Sequence, residues 1–106
     1  MTQFLQVTTT VAAKADAERI ARVLVERRLA ACVQIAGPIT STYWWQGKIE
    51  SAEEWMCIAK TRDDKFAALE AAVRETHPYE VPELIAMPVT EIGEAYGKWM
   101  EEELGD

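Results

Sequence analysis

Apolar and polar residues alternate along the chain in a pattern that predicts strands and helices in a defined order. Residues 4–10 form a short segment that is rich in β-forming side chains, which predicts a first strand. Over residues 13–29 the apolar positions recur every three or four residues, which predicts an amphipathic helix. Those positions are Ala13, Ala17, Ile20, Ala21, Leu24 and Val25. The chain therefore begins with a strand followed by a helix.

A long β-hairpin is predicted next. Cys32–Trp45 forms its first arm, interrupted at Gly37-Pro38, and Gln46-Gly47 provides a tight turn before the second arm starts at Lys48. Each arm exceeds the usual strand length of about 5 or 6 residues, so the aromatic distal part is expected to extend beyond the chain's own sheet. Left bare, it would be prone to aggregation, so we expect it to pair with another copy of the chain. The tryptophans there are also compatible with ligand stacking, although an interface is favoured.

The second half of the chain continues the third strand and predicts a second helix, then a last strand and a closing helix. The apolar run at residues 55–59 predicts a strand covered on both faces. A helix beginning at Asp63-Asp64 should end at His77-Pro78, because proline disfavours helical backbone in the residue before it. Residues 83–90 predict a fourth strand. The closing helix is predicted from the spacing of Tyr96, Trp99, Met100 and Leu104.

The order β-α-β-β-α-β plus a C-terminal helix predicts an α+β, ferredoxin-like split βαβ fold with an antiparallel sheet. Proline placement tests this topology, because proline cannot donate to a sheet ladder and is confined to edges and bulges. Pro38 lies in the second strand and Pro88 in the fourth, and these are the two edge strands of the fold. We expect residues 1–106 to form a single domain.

Composition narrows the class of protein and of partner. With 106 residues, 49% of them hydrophobic, the chain can build only a small core, so oligomerisation is a natural source of further burial. The 18 acidic and 11 basic residues give a net charge of -7, which disfavours nucleic acid and anionic membranes as partners. The sequence has neither a secretory signal pattern nor an apolar run long enough to cross a membrane, which predicts a cytoplasmic protein.

Chemically versatile side chains are concentrated between Thr76 and Glu83. This stretch contains the only histidine, His77, together with Tyr79, Glu80 and two prolines. A rigid corner of this kind can hold a ligand, but it can equally serve only to redirect the chain, and the sequence leaves both interpretations open.

A metal site is one interpretation of this corner. His77 supplies an imidazole, Glu80 or Glu83 a carboxylate, and Cys32 or Cys57 a thiolate, although a buried free thiol is the default for both cysteines. One histidine per chain cannot close a site alone, whereas a symmetric oligomer can add ligands from a neighbour.

Catalytic signals are weak. No motif combines a nucleophile, a base and an oxyanion donor, and the five glycines are too scattered to form a phosphate-binding loop. We therefore expect that the protein is not an enzyme, with no catalytic or cofactor-binding residues.

Several short motifs, spread over nearly the whole chain, resemble those of the CutA divalent-cation tolerance family. The motifs are Leu29-Ala30-Ala31-Cys32-Val33, Tyr43-Trp44-Trp45-Gln46-Gly47-Lys48, Lys60-Thr61, His77-Pro78-Tyr79, Pro82-Glu83, Pro88-Val89, and Tyr96 with Trp99. The resemblance implies a ferredoxin-like protomer in a homotrimer whose long hairpins pair between subunits. It also implies intersubunit clefts near the His-Pro-Tyr corner.

For function, the resemblance implies tolerance of divalent cations and binding of Cu²⁺ or another divalent cation, with no cofactor required for folding. Thr8 and Thr76 stand where copper-binding members carry a cysteine and a histidine, so His77 and Glu83 remain as the implied ligands. Because a thiolate and an imidazole are missing, we expect weaker copper binding than a full ligand set would give.

An alternative from a different class is a PII-like trimeric sensor or scaffold that binds a small molecule or a protein in its intersubunit clefts. Only family analogy motivates this alternative. The candidate cleft residues are Thr8, Cys32, Lys60 and Tyr79.

Overall fold

A computed structural model describes residues 3–105. Its strands and helices follow the predicted order, and their bounds are β1 Phe4–Val11, α1 Lys14–Glu26, β2 Cys32–Trp45, β3 Lys48–Arg62, α2 Phe66–Thr76, β4 Ile85–Pro88 and α3 Glu94–Leu104. A single 3₁₀ turn, Asp63–Lys65, precedes α2.

Two elements are shorter than their predicted lengths. Helix α1 ends at Glu26 because Arg28 adopts a left-handed backbone with φ of 56°, and the next two backbone N–H groups both donate to the Leu24 carbonyl. Strand β4 covers only four residues, since its pairing with β1 is limited to Leu5–Thr8.

The four strands form one sheet in the order β2-β3-β1-β4, and every neighbouring pair is antiparallel. This confirms the α+β split βαβ prediction. The strands that carry Pro38 and Pro88 lie at the two edges, as the proline placement predicted. The missing N–H of each proline therefore interrupts no inner ladder of the sheet.

The hairpin between β2 and β3 has the predicted turn and interruption. Gln46 and Gly47 both have positive φ, 49° and 79°, the combination found in a tight type I′ hairpin turn. The pairing register shifts between Ala36 and Ile39, where the strand carries Gly37-Pro38.

The distal part of the hairpin extends beyond the rest of the sheet, because the first residue of β3 that pairs with β1 is Trp55. Its side chains are correspondingly bare: Trp44 is 73% exposed and Ile49 is 64% exposed. The predicted extension is therefore present in the single chain.

The two faces of the sheet are covered unequally. Helices α1 and α2 cover one face and bury the core of Val7, Val11, Ala17, Ile20, Leu24, Ala30, Cys57, Ala59, Leu69, Ala72 and Val73. We call the opposite side the open face; its residues are Gln6, Thr8, Cys32, Gln34, Met56, Ile58, Lys60, Ile85 and Met87. Within one chain the run at residues 55–59 is thus covered on one face only, and Met56 and Ile58 remain half-buried.

Helix α3 covers one end of the open face. A Cβ atom at Gly97 would lie 3.6 Å from the Phe4 ring, and the Lys60 ammonium lies over the Tyr96 ring. The rest of the open face has no helix over it in residues 3–105. None of the helices in that range combines the length and apolarity needed to cross a membrane.

Candidate functional site

The end of helix α2 forms the corner predicted from the sequence. Arg19 donates from Nη2 to the Thr76 carbonyl oxygen at 2.6 Å, which satisfies one of the last carbonyls of the helix. His77 leaves the helix in an extended conformation, with φ of −77° and ψ of 133°, as expected for a residue before proline. The imidazole is thereby directed into the protein, where His77 is only 7% exposed.

Both ring nitrogens of His77 are hydrogen-bonded. The Tyr79 backbone N–H donates to Nδ1 at 3.1 Å, so Nδ1 is the acceptor, and Nε2–H donates to the Thr10 carbonyl oxygen at 2.9 Å. Burial lowers the pKa of His77, while the Thr10 hydrogen bond and the charges of Asp16 and Glu54 oppose that effect. The imidazole is therefore neutral at pH 7, and a metal ion must displace one of its hydrogen bonds to reach a nitrogen.

Tyr79 ties this corner to the base of the hairpin. Its hydroxyl donates to Glu54 Oε2 at 2.8 Å, and its ring centroid lies 4.8 Å from that of His77. Burial, together with the hydrogen bond to the Glu54 carboxylate, raises the pKa of Tyr79 to about 12. Glu54 is 7% exposed and lies on β3 opposite Ile39, next to the shift in register.

The carboxyl group of Glu83 is exposed, but it interacts electrostatically with Glu54 at the same corner. Desolvation raises the pKa of its carboxyl group, and the negative charge of Glu54 raises it further. The structure thus places Glu54 among the predicted residues His77, Tyr79 and Glu83. Glu54 was not among the residues predicted from the sequence, where its only signal was a carboxylate in a strand, directly before the apolar run at residues 55–59.

The corner of one chain does not supply a full set of metal ligands. No group of three or more His, Cys, Asp or Glu side chains in residues 3–105 is arranged to hold an ion. The corner offers carboxylate oxygens and one neutral imidazole, so a stable site needs further ligands from elsewhere.

The remaining predicted residues lie on the open face, away from the corner. Cys32 and Lys60 are directly opposed across β2 and β3, and Thr8 lies on β1 opposite Ile58. Thr8 is adjacent to Thr9 and lies two positions before Thr10, whose carbonyl binds His77. The six predicted residues therefore fall into two groups: Tyr79, His77 and Glu83 at the corner, and Thr8, Cys32 and Lys60 on the open face.

The second cysteine, Cys57, is a core residue, as expected. It is 1% exposed, its Sγ donates to the Ala17 carbonyl oxygen at 3.6 Å, and burial raises the pKa of the thiol to about 11. We expect that a thiol reagent at pH 7 leaves Cys57 of the folded protein unmodified, because the thiolate is the reactive form. In a Cys32→Ser variant, labelling followed by mass spectrometry should begin only in denaturant; rapid labelling under native conditions would contradict the burial of Cys57.

Comparison with known proteins identifies the family. Residues 5–103 match the CutA1 family, described as "CutA1 divalent ion tolerance protein". The chain belongs to this family. That description specifies tolerance of divalent ions and names no catalysed reaction.

Relatives and a solved structure agree with membership in the CutA1 family. The divalent-cation tolerance protein CutA of Thermus thermophilus is 42% identical over 96 residues, which are 91% of this chain and 93% of that protein. A solved structure of the Thermus thermophilus protein superposes with a TM-score of 0.92, at 40% identity, covering 99% of this chain and 100% of that one. The CutA homolog of Xenopus laevis is 49% identical over 84 residues, 79% of this chain but only 56% of that protein. The chain thus spans about half the length of this longer relative.

Proposed function

We propose that this CutA1-family chain acts in divalent-cation tolerance in the cytoplasm by binding Cu²⁺, weakly, at the corner formed by His77 and Glu83. The observation that carries the proposal is a neutral, buried imidazole that feels the charge of the Glu54 carboxylate, which in turn acts on the carboxyl group of Glu83. A neutral imidazole has no proton to lose before binding a metal, and copper(II) accepts both nitrogen and carboxylate ligands.

The existing hydrogen bonds of His77 limit the affinity. Releasing Nδ1 from Tyr79 or Nε2 from Thr10 costs about 1 kcal/mol for each net hydrogen bond, before any bond to the metal forms. Thr8 and Thr76 add only hydroxyl groups, which are poor ligands for copper compared with a thiolate or an imidazole.

The homotrimer implied by the sequence resemblance is part of the proposal. A neighbouring copy would cover the exposed hairpin aromatics and the apolar residues of the open face, and it could contribute the ligands that one chain lacks. Size-exclusion chromatography with light scattering should give three times the chain mass of 11.9 kDa. A measured mass equal to that of a single chain would contradict the proposed homotrimer.

The experiment that tests metal binding is a calorimetric titration with Cu²⁺ at pH 7, with Zn²⁺ as comparator. We expect His77→Gln and Glu83→Gln each to weaken copper binding about tenfold or more, equivalent to about 1.4 kcal/mol. His77→Gln keeps an N–H donor for the Thr10 carbonyl, so it perturbs the fold less than alanine does. Glu80→Gln is the matched control, because it removes a nearby exposed carboxylate outside the proposed ligand set.

Three results bear against the proposal. They are the absence of copper binding, affinity that is equal in all three variants, and Zn²⁺ bound as tightly as Cu²⁺. Any of them would redirect attention to the alternative of a PII-like sensor, in which the clefts hold a small molecule.

A further inference from the structure

One residue, Tyr79, holds two groups that can bind a metal ion. Its backbone N–H donates to Nδ1 of His77 at 3.1 Å, and its side-chain hydroxyl donates to Oε2 of Glu54 at 2.8 Å. Its ring centroid lies 4.8 Å from that of His77. Each acceptor atom uses for this hydrogen bond a lone pair that a metal ion would need. Tyr79 therefore competes with an ion for both atoms at once.

Nδ1 is the nitrogen of His77 that an ion can reach without moving a proton. Nε2 carries the hydrogen that is donated to the Thr10 carbonyl, so an ion there needs the other tautomer and leaves that buried carbonyl unpaired. Nδ1 has a lone pair and gives up only the bond from the Tyr79 N–H. An ion at Nδ1 thus displaces Tyr79 and leaves the bond to Thr10 intact.

The carboxylate of Glu54 is suited to accept a cation once Tyr79 has moved. Burial lowers the pKa of His77, and the charge of Glu54 is among the effects that oppose this. Desolvation raises the pKa of Glu83, and the charge of Glu54 raises it further. A cation next to Glu54 removes this repulsion between the two carboxylates. Because Glu54 is only 7% exposed, water is a poor replacement for the Tyr79 hydroxyl.

We propose that Glu54 is a further ligand of the copper site and that Tyr79 is the gate that keeps this site closed. Moving Tyr79 away frees Nδ1 of His77 and the Glu54 carboxylate together, because one residue occupies both. The inference rests on the proposed copper-binding function and adds a ligand and a conformational step to it. The contacts of Tyr79 lie within one chain, so the gate does not require any surface to be free of a neighbouring copy.

A purely structural role for the bond between Tyr79 and Glu54 predicts the opposite effect on copper. If the bond only holds the corner together, its removal loosens the site and weakens copper binding or leaves it unchanged. If Tyr79 is a gate, removal of its hydroxyl favours the open corner, and a site that is open more often binds its ligand more tightly. The sign of the change therefore separates the two roles.

The test is a double-mutant cycle, measured by calorimetric titration of Cu²⁺ at pH 7 with the full chain in its solution assembly. Tyr79→Phe removes the hydroxyl but keeps the ring and the backbone N–H. Glu54→Gln removes the charge but keeps an oxygen that accepts the hydroxyl. The matched controls are Tyr96→Phe, which removes a tyrosine hydroxyl on α3, and Glu53→Gln, which removes the exposed carboxylate next to Glu54 on β3.

We expect Glu54→Gln to weaken copper binding about tenfold or more and Tyr79→Phe to strengthen it about threefold or more. The double variant should bind copper within about twofold of Glu54→Gln alone, since no carboxylate remains to be released. Both controls should stay within about twofold of the unmodified protein. A Tyr79→Phe variant that binds copper no more tightly, or a strengthening that persists beside Gln at position 54, would overturn the proposal.

Amide hydrogen exchange of the unmodified protein gives an answer that does not depend on whether a variant folds. Copper should make the Tyr79 N–H exchange about threefold faster or more, because its acceptor Nδ1 is taken by the ion. Slower or unchanged exchange with copper bound would count against the gate.

The same titrations distinguish failure of the gate from failure of the proposed function. Copper binding that is lost in His77→Gln but unchanged in Glu54→Gln and Tyr79→Phe would overturn the gate and leave the copper site standing. No copper binding by the unmodified protein would overturn both.

Discussion

Replacing His77 with alanine is expected to lower the free energy of unfolding by about 3 to 5 kcal/mol, among the largest effects of any substitution at the corner. The change removes a ring that is 7% exposed and leaves the Thr10 carbonyl and the Tyr79 N–H without their partner. Each buried polar group left unpaired costs about 1 to 3 kcal/mol, and the lost ring contact with Tyr79 adds to this. Chemical denaturation at matched protein concentration measures the loss.

Thr76→Ala is the matched control for His77→Ala. The Thr76 hydroxyl donates to the Ala72 carbonyl one turn earlier in α2, a bond that contributes little to helix stability. We expect this control to change the free energy of unfolding by less than about 1 kcal/mol. Equal effects of the two substitutions would mean that His77 does not hold the corner together.

The buried imidazole should also make stability depend on pH. Burial lowers the pKa of His77 below its ordinary value of 6.5 in the folded protein, so the unfolded chain binds more protons as pH falls through 6.5. The stability associated with neutral His77 is complete above that pH and is lost as pH falls toward the folded pKa. Glu83 acts in the opposite direction, because its raised pKa favours the folded state as its carboxyl group becomes protonated.

Denaturation curves between about pH 7.5 and 5.5 isolate the histidine contribution when the unmodified protein is compared with His77→Gln. We expect the difference in unfolding free energy between the two proteins to shrink as pH falls. A difference that stays constant over this range would argue against a buried, neutral imidazole.

Gly37→Ala is expected to lower the free energy of unfolding by about 3 kcal/mol. Gly37 has φ of 154°, a backbone conformation essentially restricted to glycine. A Cβ atom there would lie 2.8 Å from Cε3 of Trp55 and 3.2 Å from the Glu54 carbonyl oxygen. Backbone strain and steric overlap each cost about 1 to 3 kcal/mol, and the displaced β3 segment carries the carboxylate that binds Tyr79.

Gly47→Ala separates backbone strain from steric overlap. Gly47 also has positive φ, 79°, but a Cβ atom there would meet nothing within 4 Å. We expect this variant to lose only about 1 kcal/mol, measured by the same denaturation experiment. A loss as large as that of Gly37→Ala would contradict the role assigned to the contact with Trp55.

The sequence predicted the order and type of the elements because those depend on local chemistry. The edge strands follow from the missing N–H groups of Pro38 and Pro88, and the end of α2 follows from the proline after His77. The residues at which helices and strands end were less predictable from the sequence. Helix α1 stops before residue 29 because the backbone reverses at Arg28, which the apolar periodicity did not indicate.

The candidate site was predictable in its residue types but not in its arrangement. His77, Tyr79 and Glu83 are close in sequence, so local reasoning could group them. Glu54 joins them across 25 residues through a hydrogen bond that exists only in the folded sheet. In the same way, Tyr96 comes to lie over Lys60 because α3 folds back onto the open face.

By itself, the sequence determined the α+β topology, the long hairpin and the rigid corner at His77, since these arise from residue periodicity and from the fixed backbone of proline and glycine. Only the tertiary structure decided that both nitrogens of His77 are engaged and that the Lys60 ammonium lies over the Tyr96 ring. The physical reason is that hydrogen bonds and charge pairing depend on distances of a few ångströms between residues far apart in the chain, and strand register and helix packing set those distances.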